Sequence, residues 1–90
     1  SMMELILEAM KLIDRISVIG SRIAISDAGV SITMCEAAMK GASLNVFINT
    51  KLMKDRELAE DMNFKADKML AEAAQIEEET FGRVMDAVRP

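Results

Sequence analysis

Apolar residues recur every three or four positions along almost the whole chain, which is the period of an α-helix. The first segment, from about Met3 to Ile19, carries Leu5, Ala9, Leu12, Ile16 and Ile19 at that spacing, with Ile6 and Ile13 beside them. Glu4, Glu8, Lys11, Asp14 and Arg15 take the other side. The pattern predicts an amphipathic helix whose acidic residues come early and basic ones later, as the helix dipole favours. Gly20-Ser21 predicts its stop, and Ser21 to Ser26 a short connection anchored by Ile23 and Ile25.

The second segment, from about Ala28 to Asn49, differs in kind. Between Ala28 and Thr50 the only charges are Glu36 and Lys40, four residues apart in the favourable order. The rest is mostly apolar or small, and a helix apolar nearly all round is a buried helix. Ser26 or Asp27 is placed to cap it by accepting a bond from a free N–H of the first turn. Gly29 and Gly41 each cost up to about 1 kcal/mol inside a helix, and close approach of another helix is the simplest reason for them. An alternative ends the helix at Gly41 and makes Leu44–Ile48 a short strand.

The third segment, from about Asp55 to Val88, places Leu58, Met62, Ala66, Met69, Ala73, Ile76, Thr80, Val84 and Val88 at helical spacing. Its many charges include Glu77-Glu78-Glu79, read as a solvated face. A helix of this length spans about 50 Å. It either overhangs to meet a partner or breaks near Gly82. The fold class that follows is all-α: one domain over residues 2–90, a three-helix antiparallel unit with a buried central helix. Two amphipathic flanks leave part of that central helix uncovered, and exposed apolar area costs about 25 cal/mol per Å². The cover is a second copy, a missing part of the same domain, or both. A two-fold homodimer or higher homo-oligomer is the simplest solution.

Composition narrows the chemistry. The 90 residues include three Phe, one Cys, one Pro, nine Met and no His, Trp or Tyr. Without histidine the commonest general base and metal ligand are missing, and no metal site is expected. A lone cysteine allows no internal disulfide, and a free thiol suits a reducing cytoplasmic setting. Cys35, among apolar residues, reads as a buried, inert thiol. The net charge of −4 argues against nucleic acid and anionic membranes as partners. No eighteen-residue apolar run is present to span a bilayer, and the N-terminus lacks the regions of a signal peptide. Ser1 before Met2 reads as the scar of a cleaved tag.

The polar residues around the central segment are the candidates for a site. Ser26 and Asp27 precede it, and Asn45 and Asn49, four apart, share one face near its end. One reading makes Asp27 a helix cap and the asparagines caps or interface contacts. The other makes the four a small polar site able to hold an amide or a pterin-like ring edge. Lys51, Lys54 and Arg56 follow closely, either as charge for an anionic substrate tail or as solvated surface.

The runs Ala24-Ile25-Ser26-Asp27-Ala28-Gly29-Val30, Glu36-Ala37-Ala38-Met39-Lys40-Gly41-Ala42, Leu44-Asn45-Val46-Phe47-Ile48-Asn49 and Lys54-Asp55-Arg56-Glu57 resemble the C-terminal domain family of formiminotransferase–cyclodeaminases, which includes methenyltetrahydrofolate cyclohydrolases. The likeness covers about the middle third of the chain. It implies an all-helical dimer acting, as a lyase or hydrolase, on formimino or methenyl adducts of tetrahydrofolate as substrate. Under that likeness Asp27 is the catalytic carboxylate, and Ser26, Asn45 and Asn49 are substrate contacts. The family's upstream glycine-rich motif is absent, and Ser21-Arg22-Ile23 stands where an Asn-Pro is usual. The chain therefore resembles the C-terminal half of the family's domain, with a partner protein as one source of the other half. The alternative to an enzyme is a non-catalytic helical module for self-assembly or partner binding.

Overall fold

The computed structural model describes residues 1–19 and 22–90, with the side chains of 22 and 23 excepted. The expected stop at Gly20-Ser21 therefore lies outside the described residues. Three helices account for nearly all of the rest: α1 (Met2–Ile19), α2 (Arg22–Leu52) and α3 (Arg56–Val88). No strand occurs among the described residues. The molecule measures 54 × 18 × 15 Å, with its long dimension set by α3.

Local chemistry explains the helix ends. The Glu4 N–H donates to the Ser1 hydroxyl oxygen at 3.3 Å while that hydroxyl donates to the Glu4 carboxylate at 2.9 Å. This reciprocal pair satisfies one free donor of the first turn. At the start of α3, Asp55 in extended conformation accepts from the Leu58 N–H at 3.1 Å. Arg56 closes the end of α2, donating to the Thr50 carbonyl at 2.7 Å and to the Met53 carbonyl at 3.0 Å. These are acceptors that a helix C-terminus leaves without partners. Arg56 is thus a structural cation, while Lys51 and Lys54 are exposed.

Two expectations about α2 are corrected. The helix begins at Arg22, so Ser26 and Asp27 lie inside it and cap nothing. It also runs through Gly41 and Leu44–Ile48 without a break, so the short strand does not form. The α-helical hydrogen bonds available to a long apolar stretch outweigh a single glycine's unfavourable propensity. In the same way α3 continues through Gly82.

The core gathers Met3, Leu7 and Met10 of α1, Ile32 and Met39 of α2, and Ala66 and Ala73 of α3. On α3 the residues Ala59, Ala66, Ala73 and Thr80 are buried at seven-residue intervals, a small side chain each time. That spacing keeps one seam toward the neighbouring helices and lets them approach closely. The face of α1 that packs inward is not the one its spacing suggested. Met3, Leu7, Met10 and Ser17 are buried, whereas Leu5, Ala9, Leu12, Ile16 and Ile19 are exposed. Both sets have helical period, and polar pairing selects between them. Asp14 and Lys11, on the inward side, find partners on α3: Asp14 accepts from Thr80 at 2.6 Å and from Arg83 at 2.8 Å, and Lys11 lies 3.3 Å from Glu72. Arg83 also donates to the buried Ser17 hydroxyl at 2.8 Å.

Gly29 has the reason expected for it. A Cβ there would lie 2.8 Å from Cγ1 of Val84, so glycine is what lets α3 come this close. Gly41 has no such neighbour within 4 Å. It belongs to the face of α2 that points away from both other helices. There Val30 (60%), Met34 (67%), Leu44 (62%) and Ile48 (60%) stand open to solvent, with Ala37 and Gly41 exposed between them. The central helix is therefore buried on one side of this chain and bare on the other.

Candidate functional site

The four candidate residues all lie on α2 and, within one chain, do not converge. Asp27 and Asn45 are eighteen positions apart on one straight helix, about 27 Å along its axis. Asp27 borders a shallow groove between α1 and α2, beside Ile13, Ile16 and Ser31. Asn45 and Asn49 line a second groove, of about 220 Å³, where the start of α1 meets α2, with Met2 and Met3 of α1 and Met62 of α3. Their four-residue spacing does bring these two together, as helical geometry requires. Ser26 takes the opposite edge of α2. It opens on a groove toward α3 lined by Gly29, Thr33, Phe81 and Met85.

All four side chains are exposed. Among the described residues, neither Asp27 nor the two asparagines makes a side-chain hydrogen bond or ion pair. The capping reading of Asp27 has no structural basis, and the polar groups are left presented to whatever approaches α2. A free carboxylate can hold a cation by charge or move a proton, and a primary amide can donate and accept at once, which suits the edge of a heterocycle. Asp27 with Asn45 and Asn49 also shares the α1 edge of α2, since both grooves are walled by α1.

One polar group escaped the sequence reading. Both carboxylate oxygens of Glu36 are buried with no hydrogen-bond partner. Spacing paired Glu36 with Lys40, but the position falls between Ile32 and Met39, both fully buried, and the carboxylate turns inward. An unpartnered buried carboxylate is unfavourable, and nothing in the sequence distinguishes it from an ordinary surface Glu–Lys pair. Cys35 is half-buried, and burial pushes its thiol pKa up, away from a reactive thiolate. Among the described residues no group of three His, Cys, Asp or Glu is placed to hold a metal ion, and no helix is long and apolar enough to cross a membrane.

The formiminotransferase-cyclodeaminase family profile matches residues 1–68, which span α1, α2 and the first part of α3. The match is broader than the runs between Ala24 and Glu57. A methenyltetrahydrofolate cyclohydrolase of Methylorubrum extorquens AM1 is 38% identical over 64 residues, which is 71% of this chain and 31% of that protein. The chain thus spans about a third of the length of the relative it matches. No solved structure matches it. The matched segment holds Ser26, Asp27, Asn45 and Asn49 on one continuous helix, and the chain belongs to the formiminotransferase-cyclodeaminase family.

Proposed function

We propose that this chain works in folate one-carbon metabolism, with a cyclohydrolase- or cyclodeaminase-like site for methenyl- or formimino-tetrahydrofolate on the α1 edge of α2. The observation that carries the reading is the 38% identity to a methenyltetrahydrofolate cyclohydrolase across the segment that presents Asp27, Asn45 and Asn49.

The chemistry asks for a carboxylate. In cyclohydrolysis, water adds to the cationic amidinium carbon, a proton leaves that water, and the ring C–N bond breaks as its nitrogen regains a proton. In cyclodeamination, the exocyclic N10 amine attacks the formimino carbon held on N5, its proton passes to the imino nitrogen, and ammonia departs after taking a further proton. Asp27 is suited to both: it stabilises the amidinium charge and carries the proton between the two atoms. Asn45 and Asn49 hold the amide edge of the pterin, and Ser26 adds a neighbouring hydroxyl. The substrate is the only folate required, and the scheme needs no metal.

The quaternary reading belongs to the same proposal. The three helices form an antiparallel unit, supported by the pairing of Gly29 with Val84 and of Thr50 with Asn63. The unit is completed as a homodimer in the cytoplasm, supported by the bare apolar face of α2 and the free thiol. A partner supplying a further part of the domain is the other source of cover. A second functional reading, an assembly module without catalysis, is favoured by the 27 Å between Asp27 and Asn45 along one helix (about 1.5 Å per residue).

Calorimetric titration with 5,10-methenyl- and 5-formimino-tetrahydrofolate separates the two. The enzyme reading expects saturable heat with at least one of them, lost in Asp27→Asn. No heat with either, at concentrations that fill a micromolar site, leaves the assembly reading.

A further inference from the structure

The groove beside Asp27 is apolar except for two side chains. Ile13 and Ile16 of α1 and Ala24 and Ala28 of α2 form its walls, and Asp27 and Ser31 are its polar members. No cation is among its lining residues, so the negative charge of Asp27 faces whatever enters. Ser31 stands one turn beyond Asp27 on the same face of α2, which places their Cβ atoms about 5–6 Å apart. From that spacing the two side chains can close on a single water, with a hydrogen bond of about 2.8 Å to each.

Ser31 differs from the other hydroxyls of the helices. The buried Ser17, Ser43 and Thr50 each donate to a backbone carbonyl three residues back, and the buried Thr80 donates to Asp14. Ser31 is half-buried, and its hydroxyl makes no hydrogen bond among the described residues. Polar groups withdrawn from bulk water ordinarily have partners, and a helical serine has its own helix's carbonyls within reach. Here both donor and acceptor are left to the groove that Asp27 borders.

We infer that Ser31 is the positioning residue for the water of hydrolysis: its hydroxyl and the Asp27 carboxylate hold one water between them, aimed at the carbon of an amidinium cation seated against Ile13 and Ile16. The inference rests on the proton-carrying role proposed above for Asp27, and it selects water as the nucleophile. The water oxygen bonds to the amidinium carbon while one of its protons passes to Asp27. The carbinol so formed gives its hydroxyl proton to solvent as the carbon becomes a formyl group. The ring C–N bond breaks with its electron pair going to nitrogen, and Asp27 returns its proton there. Ser31 accepts a hydrogen bond from the second hydrogen of the attacking water and exchanges no proton. Cyclodeamination consumes no water, so the pair favours hydrolysis over it.

Steady-state rates of the whole chain test this, read as loss of the 5,10-methenyl-tetrahydrofolate absorbance and as ammonia release from 5-formimino-tetrahydrofolate. Ser31→Ala is expected to lower kcat for hydrolysis about tenfold with KM unchanged, the effect of one hydrogen bond lost from the attacking water. Where both substrates are turned over, the ratio of hydrolysis to ammonia release should fall with it. Ser31→Thr, which keeps the hydroxyl, should restore most of the loss. Alanine is the better helix former, and helical circular dichroism checks that both variants fold. Unchanged hydrolysis in Ser31→Ala, a rise in KM alone, an equal loss in both reactions or a loss that threonine does not restore overturns the role of Ser31, while wild-type activity keeps that of Asp27. A wild type that releases ammonia without hydrolysing the methenyl substrate overturns the held water in the same way. A folded wild type that turns over neither substrate removes the function proposed above, and this role with it.

Discussion

Gly29 lies so close to Val84 that a Cβ on the glycine would come within 2.8 Å of the valine Cγ1. Val84 is buried and β-branched, with little freedom to turn away in a helix. Gly29→Ala should therefore lower stability, the overpacking cost of about 1–3 kcal/mol exceeding the gain in helix propensity of up to about 1 kcal/mol. Gly82, equally helical, has nothing within 4 Å, and Gly82→Ala should raise stability by up to about 1 kcal/mol. Urea denaturation of the two variants checks the contrast. Equal effects of one sign would mean that α2 and α3 are not as close at Gly29 as described.

Asp14 ties the second half of α1 to α3. Hydrogen bonds from Thr80 and then Arg83 hold its carboxyl below the ordinary carboxylate range. With a folded-state pKa below the unfolded one, its contribution is complete at neutral pH and fades as the pH falls from the ordinary range through the lowered value. Asp14→Asn should cost about 1 kcal/mol at pH 7, the pair being partly open to solvent. The gap between variant and wild type should close below the ordinary carboxylate range. Thermal melts from pH 7 to pH 2 measure it, and a gap independent of pH would contradict this account.

Glu36 should behave in the opposite way. With both oxygens buried and unpartnered, replacing it by an unbranched apolar residue removes an unsatisfied group. Glu36→Met is expected to stabilise the fold by about 1–3 kcal/mol. A loss of stability on denaturant unfolding would show that the carboxylate has a partner in solution.

Much of this architecture was legible in the chain. Three helices follow from the spacing, and the start of the third follows from Asp55. What was not legible has a physical pattern. In α1, two apolar stripes of the same period compete, and the choice of Met3, Leu7 and Met10 over Leu5, Leu12 and Ile16 depends on Asp14 reaching Thr80, a contact between distant parts of the chain. Ser26-Asp27 has the composition of a helix cap, yet α2 already runs from Arg22. The candidate site was legible as residue types and as the Asn45–Asn49 pair. Its distance from Asp27 was implicit once α2 proved continuous.

Arg56 gives a sharper case of a residue whose role only the fold reveals. Its guanidinium reaches the carbonyls of Thr50 and Met53 at the end of α2. Arg56→Met should leave those acceptors to water and fray the last turn of α2, at about 1–2 kcal/mol. Faster amide exchange confined to residues 50–55 is the expected signature. Unchanged exchange there would return Arg56 to the role of surface charge.

The central claim is that the bare face of α2 is covered by a second copy. Sedimentation equilibrium of the wild type and of Gly41→Leu, at micromolar concentration, tests it most directly. The account predicts a wild-type mass of twice 9.9 kDa and a shift toward the single-chain mass in the variant, whose leucine obstructs close packing on that face. A wild type that sediments at 9.9 kDa and stays soluble and folded would contradict it.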